Sequence, residues 1–315
     1  MKTDKTMKSP MQRIANKVSR MVRNTRRRRL LQSIAYTPPC PPAITDVDFS
    51  PHCLTGHNHL LMATCAAKSL NLACQTALPW TFHEDGSLTQ KDKKFLLSHF
   101  PGCRLIERSE ADDFFENEGL SEITRAREVS VLLVKLADLY AFARHDRILY
   151  VDSDVLFFNK PEALLSAIHE KKGNYFTKDI DTAYVANIDT LEQVTGVRPL
   201  ERVNTGIFVV NRSDIDLNMT EKMFTRIDTA DRSRWSAHYE HLIEQTLYAI
   251  LATRSSAEVS HLPEEYDLYL EQGLRGNASR HYVGGIRELF ELEGLQALIK
   301  ENDFCSRWQQ FVEQI

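Results

Sequence analysis

Nowhere does this 315-residue chain run to eighteen consecutive apolar residues, about the least that a bilayer-spanning helix needs. Nor does an apolar segment of signal-peptide length follow the charges at its N-terminus. These absences argue against a membrane-spanning helix and a secretory leader, and make the cytoplasm the expected location. Cysteine is sparse and scattered. The six (Cys40, Cys53, Cys65, Cys74, Cys103 and Cys305) form no C-x-x-C pair and no Cys/His cluster at zinc spacing, so reduced thiols are expected rather than a disulfide framework or a structural zinc site. Asn211-Arg212-Ser213, Asn218-Met219-Thr220 and Asn277-Ala278-Ser279 match the glycosylation acceptor pattern, but without a leader they read as chance matches. There is no internal repeat, and no low-complexity block beyond the N-terminal region.

Acidic residues are nearly missing from that region. Residues 1–34 carry Asp4 alone against eleven Lys and Arg, a charge of +10, while the remainder carries −14, so the net −4 conceals both. From Met11 to about Tyr36, Ile14, Val18, Met21 and Val22 recur at spacings of four, seven and eight, on one face of a helix otherwise rich in Arg. Such a helix can lie on an anionic membrane surface. The alternatives are a partly disordered basic tail, a helix docked by its apolar stripe on the protein's own body, or contact between Arg26–Arg29 and nucleic acid, the last being the least expected. Pro38, Pro39, Pro41 and Pro42 then end any helix and stiffen the chain. The expected organisation is a basic N-terminal helix or tail (1–36), a Pro-rich linker (37–42) and one folded domain (43–315).

With 43% hydrophobic and 26% charged residues, that domain can bury a substantial core. Helical and extended patterns alternate, which predicts an α/β layer fold. A strand-to-helix unit spans Cys53 to Leu72, and a helix over Gln90 to Phe100 precedes the strand Arg104-Leu105-Ile106. One long helix is expected over 123–144, leading into a strand at Ile148–Val151. A helix at Pro161–Glu170, a strand near Asn174–Phe176 and a strand Ile207–Val210 follow. Helices at about 217–229 and 238–253 come next, and a last helix from Arg287 onward.

Chemistry concentrates in Arg147-Ile148-Leu149-Tyr150-Val151-Asp152-Ser153-Asp154-Val155-Leu156-Phe157-Phe158, an apolar run broken by two carboxylates. Burying unpaired carboxylates is so costly that a pair of them calls for a cation. Residues i and i+2 of a strand point to one side, so Asp152 and Asp154 can face one ion. Oxygen ligands suit Mg²⁺ or Mn²⁺, which commonly bridges carboxylates to a diphosphate. Asp179-Ile180-Asp181 and Asp214-Ile215-Asp216 have the same spacing but no long apolar strand before them, and read as loop or capping residues.

In four segments the chain resembles the nucleotide-sugar glycosyltransferases of GT-A fold, particularly the retaining group that includes glycogenin and the lipopolysaccharide galactosyltransferases. Asp152-Ser153-Asp154 stands where that family has its metal-binding DxD. Seventeen positions earlier, Lys135-Leu136 stands where it has a basic residue and Leu contacting the donor. Asn204-Thr205-Gly206 is similar to its Asn-x-Gly beside the sugar pocket. His281-Tyr282-Val283-Gly284-Gly285-Ile286-Arg287 is similar to its H-x-x-G-x-x-K, with Arg in the Lys position and Glu288-Leu289 in place of the usual Pro-Trp. Glu244-Gln245 sits where the family tends to have Asp-Gln facing the transferred sugar.

The resemblance implies a GT-A-like, Rossmann-like mixed central sheet flanked by helices, with a metal ion held by Asp152, Asp154 and His281. It implies donor contacts from Lys135, Asn204, Gly206, Gly284 and Arg287, and Glu244 and Gln245 at the reacting sugar. Arg125 and Arg127 are further candidates for the donor phosphate. The expected activity is transfer of a sugar from a nucleoside-diphosphate sugar to a carbohydrate, glycolipid or protein hydroxyl, dependent on Mn²⁺ or Mg²⁺ and with retention. The alternatives are a haloacid-dehalogenase-like phosphatase with Asp152 as nucleophile, and a non-catalytic module binding membrane or nucleic acid.

Overall fold

Apolar side chains on both faces of the central strands produce a mixed sheet covered by helices on each side. The computed structural model describes residues 10–314 other than 46, 171, 232, 234 and 256, with backbone alone at 10–16 and 50. The first nine residues of the expected N-terminal segment, and the side chain of Ile14, lie outside the described residues. The described residues open with helix α1 (Pro10–Ala35). Then come β1 (Phe49–Thr55), α2 (Leu60–Cys74), β2 (Thr81–Glu84), α3 (Gln90–His99), β3 (Arg104–Ile106), α4 (Arg108–Asn117), α5 (Ser121–Val129), α6 (Leu133–Phe142) and β4 (Arg147–Val151). The second half contains β5 (Val155–Phe157), α7 (Glu162–Glu170), β6 (Asn174–Lys178), α8 (Ile188–Thr195), β7 (Val203–Asn211), α9 (Leu217–Thr229) and α10 (Tyr239–Arg254). It closes with β8 (Val259–His261), β9 (Ser279–His281), α11 (Gln296–Lys300) and α12 (Phe304–Gln314).

The seven-stranded sheet has the order β3-β2-β1-β4-β7-β6-β8. β1 pairs in parallel with both β2 and β4, β2 pairs in parallel with β3, and β7 runs antiparallel to β4 and β6. Strand period decides which core each side chain joins. Leu149, Val151, Ile207 and Val209 pack with α1, α2 and α12 on one face, while Ile148, Tyr150, Phe208 and Val210 pack with α6, α9 and α10 on the other. That two-sided burial explains why β4 and β7 read as continuous apolar runs.

Two expected helices are interrupted. The helix expected over 123–144 is two, because Ser130 is extended (φ −144°, ψ 124°) and its hydroxyl accepts the backbone N–H of Leu132, the local bond by which Ser competes with helix propagation. The helix expected from Arg287 is also divided, into a π-helical turn Phe290–Leu295, α11 and α12. Gly294 lies in that turn, where a Cβ would come within 2.6 Å of Leu156 and Tyr282; its close approach to β5 accompanies the widened turn. The sequence reading also passed over β2, α4, α8 and β8.

Candidate active site

β4 ends at Val151, and its continuation leaves the main sheet: β5 pairs antiparallel with β9 as a separate ribbon. Asp152 and Asp154 therefore sit in the turn between two sheets rather than on one strand. Because β1 has parallel neighbours on both sides, the crevice beyond the C-terminal ends of β1 and β4 is the switch point at which α/β sheets bind ligands. β7 enters the sheet at this same end, and the Asp152 N–H donates to Gly206 O at 2.8 Å. β9 brings His281 opposite Val155, and the Tyr282 N–H donates to Asp154 O at 2.9 Å.

Asp152, Asp154 and His281 can each direct one ligand atom into a space in which these atoms lie within 4.8 Å of one another. His281 Nε2 is 3.1 Å from Asp154 Oδ1 and 3.7 Å from Asp152 Oδ2, close to the roughly 3–4 Å that separates two donors on one hexacoordinate ion. The tautomer agrees. Asn204 Oδ1 accepts the Gly206 N–H at 3.0 Å and its Nδ2 donates to Asp179 Oδ2 at 3.0 Å, which fixes the amide's orientation. The contact between that oxygen and His281 Nδ1 at 3.0 Å then requires a proton on Nδ1, so Nε2, which donates to Asp154 Oδ1 at 3.1 Å, is the nitrogen that would offer its lone pair to a cation once its own proton leaves. Gly206 makes room for this ring, since a Cβ there would lie 2.2 Å from His281 Nδ1 and Cε1. Two carboxylates and a correctly turned imidazole thus fit a divalent cation.

Charge is arranged in depth behind these three. Lys135, on α6 and buried, has its Nζ 3.6 Å from Asp152 Oδ1 and 3.4 Å from Glu244 Oε2, and donates to the carbonyl and hydroxyl of Thr205, each at 3.2 Å. Burial opposes its charge, but Asp152 and Glu244 outweigh burial and raise its pKa. Burial pushes the Glu244 carboxyl up to about 7 against the pull of Lys135. Burial would raise Asp154 too, yet His281 and the Arg287 guanidinium hold it at about 2. For His281, burial favours the neutral ring and the two aspartates outweigh it, raising its pKa.

The expected residues thus fall into distinct positions. Asp152, Asp154, His281, Asn204, Gly206 and Lys135 converge. Arg287 joins them with a forked contact to Asp154 Oδ2 at 3.2 and 2.9 Å, its side chain still 46% exposed. Gly284 begins a short 3₁₀ turn and faces open space. Glu244, expected at the reacting sugar, is 1% exposed, and its Oε2 accepts the Thr205 hydroxyl at 3.0 Å. Gln245 is 8% exposed, its amide donating to Ala183 O and its Oε1 accepting from the Thr205 N–H. Arg125 and Arg127 are taken up by Glu122 and Asp228, and by Asp112 and Asp138. Sequence reading missed Thr205, Asp179 and Tyr150, whose hydroxyl donates to Asp152 Oδ1 at 2.8 Å. Tyr150 was findable, being two residues before Asp152 on a strand.

No family model and no curated protein matches the chain. Solved structures do. A complex of the galactosyltransferase LgtC with donor and acceptor sugar analogs aligns with a TM-score of 0.50 at 13% identity, over 84% of this chain and 96% of that one. Mouse xyloside xylosyltransferase 1 aligns at 0.52 and 12%, over 76% and 99%. Core-mannan synthase A from Aspergillus fumigatus, with Mn and GDP, aligns at 0.50 and 11%, over 81% and 86%. At such identities the likeness establishes the GT-A fold.

Proposed function

We propose that this protein is a metal-dependent glycosyltransferase, moving a sugar from a nucleoside-diphosphate donor to an acceptor hydroxyl with retention. The observation that carries the reading is the convergence of Asp152, Asp154 and His281 Nε2 at the switch-point crevice, with Nδ1 held by Asn204. The fold supports it, because chains of this architecture include one solved with Mn and GDP and one with donor and acceptor sugar analogs. The same neighbours favour a transferase over a haloacid-dehalogenase-like phosphatase.

Asp152, Asp154 and His281 would hold a Mn²⁺ or Mg²⁺ ion, which when bound supplies Lewis-acid stabilisation of a departing diphosphate. Around it, Arg287 offers exposed N–H groups to phosphate oxygens, and its planar fork suits them. Gly284 keeps the approach beside Arg287 open. Lys135 is too buried to meet the donor freely; its ammonium stands 3.6 Å from Asp152 Oδ1, and Glu244 in turn holds Lys135. Asn204 fixes the His281 tautomer, Gly206 admits the ring, and Gln245 is the side chain proposed to face the transferred sugar. The acceptor class is a carbohydrate, glycolipid or protein hydroxyl.

Hydrolysis of nucleotide sugars with Mn²⁺ tests the reading. The wild-type chain is expected to release nucleoside diphosphate from at least one of a panel, and Asp154→Ala to abolish the release while keeping the fold. Full activity in Asp154→Ala would overturn the proposal.

A further inference from the structure

Helix α1 has two apolar faces in succession, pointing in opposite directions. In its C-terminal half Leu30 and Leu31 pack on the core and Ile34 and Ala35 are fully buried, while Arg23, Arg26 and Arg27 turn to Glu288, Gln296 and Glu291. With about 3.6 residues per turn, Val18, Met21 and Val22 fall roughly half a turn away from that side. They are 55%, 67% and 64% exposed, and every side chain from Lys17 to Arg26 is exposed. The body on which α1 rests is therefore on the wrong side of the helix to cover this stripe.

The stripe is bordered by charge of a single sign. α1 contains no Asp or Glu, and among the described residues Lys17, Arg28 and Arg29 have no carboxylate partner. A nucleic acid would use these cations but leave the exposed Val and Met without a role. An anionic bilayer uses both, the apolar groups entering the headgroup boundary and the cations meeting lipid phosphates. Charge asymmetry would also orient the protein, since residues 1–34 carry +10 and the remainder −14, so that only the helical end is attracted.

We propose that the outward face of α1, built on Val18, Met21 and Val22 and flanked by Lys17, Arg28 and Arg29, is a docking surface for an anionic lipid bilayer. Binding through this face is independent of the catalytic reading. It would nevertheless bring the candidate site near the membrane, because Glu288 and Glu291, which hold α1, lie one and four residues after Arg287.

Flotation of the full chain with vesicles of phosphatidylcholine, with and without phosphatidylserine, tests this. The protein is expected to float with the anionic vesicles at low salt, to stay behind with the neutral ones, and to be released as salt screens the charge. Met21→Asp combined with Val22→Asp should lower partition at least about tenfold, and Lys17→Glu combined with Arg28→Glu by a similar factor. Both variants should keep the wild-type melting temperature, because the replaced side chains are exposed. Failure of the full chain to float, or unchanged flotation of the apolar variant, would overturn the proposal. So would a dimer in light scattering that the apolar variant splits, which would make a second copy the occupant. Binding to duplex DNA that only the charge variant loses, without flotation, would overturn it as well.

Discussion

At the residue scale the account turns on how few side chains set the geometry of the three-donor cluster. Asn204 is engaged on both sides of its amide, by Gly206 and His281 at the oxygen and by Asp179 at the nitrogen. Asn204→Ala removes the acceptor that holds the proton on His281 Nδ1, and is expected to weaken Mn²⁺ binding by about 10–100-fold. Titration by electron paramagnetic resonance reads this directly, and unchanged affinity would mean that the ring needs no such partner. Asp152, Asp154 and His281 were legible in the sequence through motifs ordered along the chain, although the two aspartates converge across a turn and not, as strand period suggested, from one strand. The network behind them was not. Thr205 links Lys135 to Glu244, and Asp179 reaches Asn204 across 25 positions; such contacts depend on how β6, β7 and α10 pack, which no spacing encodes. The same packing sets Glu244, expected at the reacting sugar, 3.4 Å from Lys135 Nζ.

At the scale of elements, β1 and β2 are joined beneath the crevice by a buried pair of imidazoles. His52 Nδ1 and His83 Nε2 are 3.0 Å apart and both rings are buried. Burial, reinforced by Arg104, lowers the pKa of His52 to about 3, and burial lowers His83 well below its usual value. Both rings thus fold neutral. Between the folded value and the unfolded value of about 6.5, the unfolded chain binds more protons, so stability rises with pH in this window and is lost as pH falls below about 6.5. For His52 alone the loss at pH 5 is about 2 kcal/mol. Melting curves from pH 7.5 to 5 should therefore show a steep fall in Tm for the wild type and a flatter one for His52→Asn combined with His83→Asn, although that variant starts lower. Equal slopes would contradict the assignment. Periodicity identified the strands on either side of the site, β4 and β7, because both faces of each are apolar. It failed at α5 and α6, where a single serine outweighs the continuous helical pattern.

For the whole molecule, the alternation of helix and strand was enough to indicate an α/β layer fold, and the family resemblance a mixed sheet, but neither gave the strand order or the departure of β5 into a ribbon with β9. That departure is what brings His281 to the aspartates, and it could be expected only through the resemblance of the His281–Arg287 segment to a known pattern. Where that segment departs from the pattern, the structure supplies a use: Glu288 pairs with Arg23 of α1 at 3.6 Å, and Leu289 packs on the core beside it. The basic helix, the segment after Arg287 and the carboxylate turn are in this way mechanically continuous. The central claim is that Asp152, Asp154 and His281 hold a divalent cation through which a nucleoside diphosphate binds. Isothermal titration of UDP and GDP into the full chain, with Mn²⁺ or with EDTA, tests it most directly. At least one nucleotide should bind with Mn²⁺ at least about tenfold more tightly than without, a difference of about 1.4 kcal/mol or more, and Asp154→Asn should erase that difference. Equal binding of the nucleotide in EDTA, or a full Mn²⁺ effect in Asp154→Asn, would contradict it.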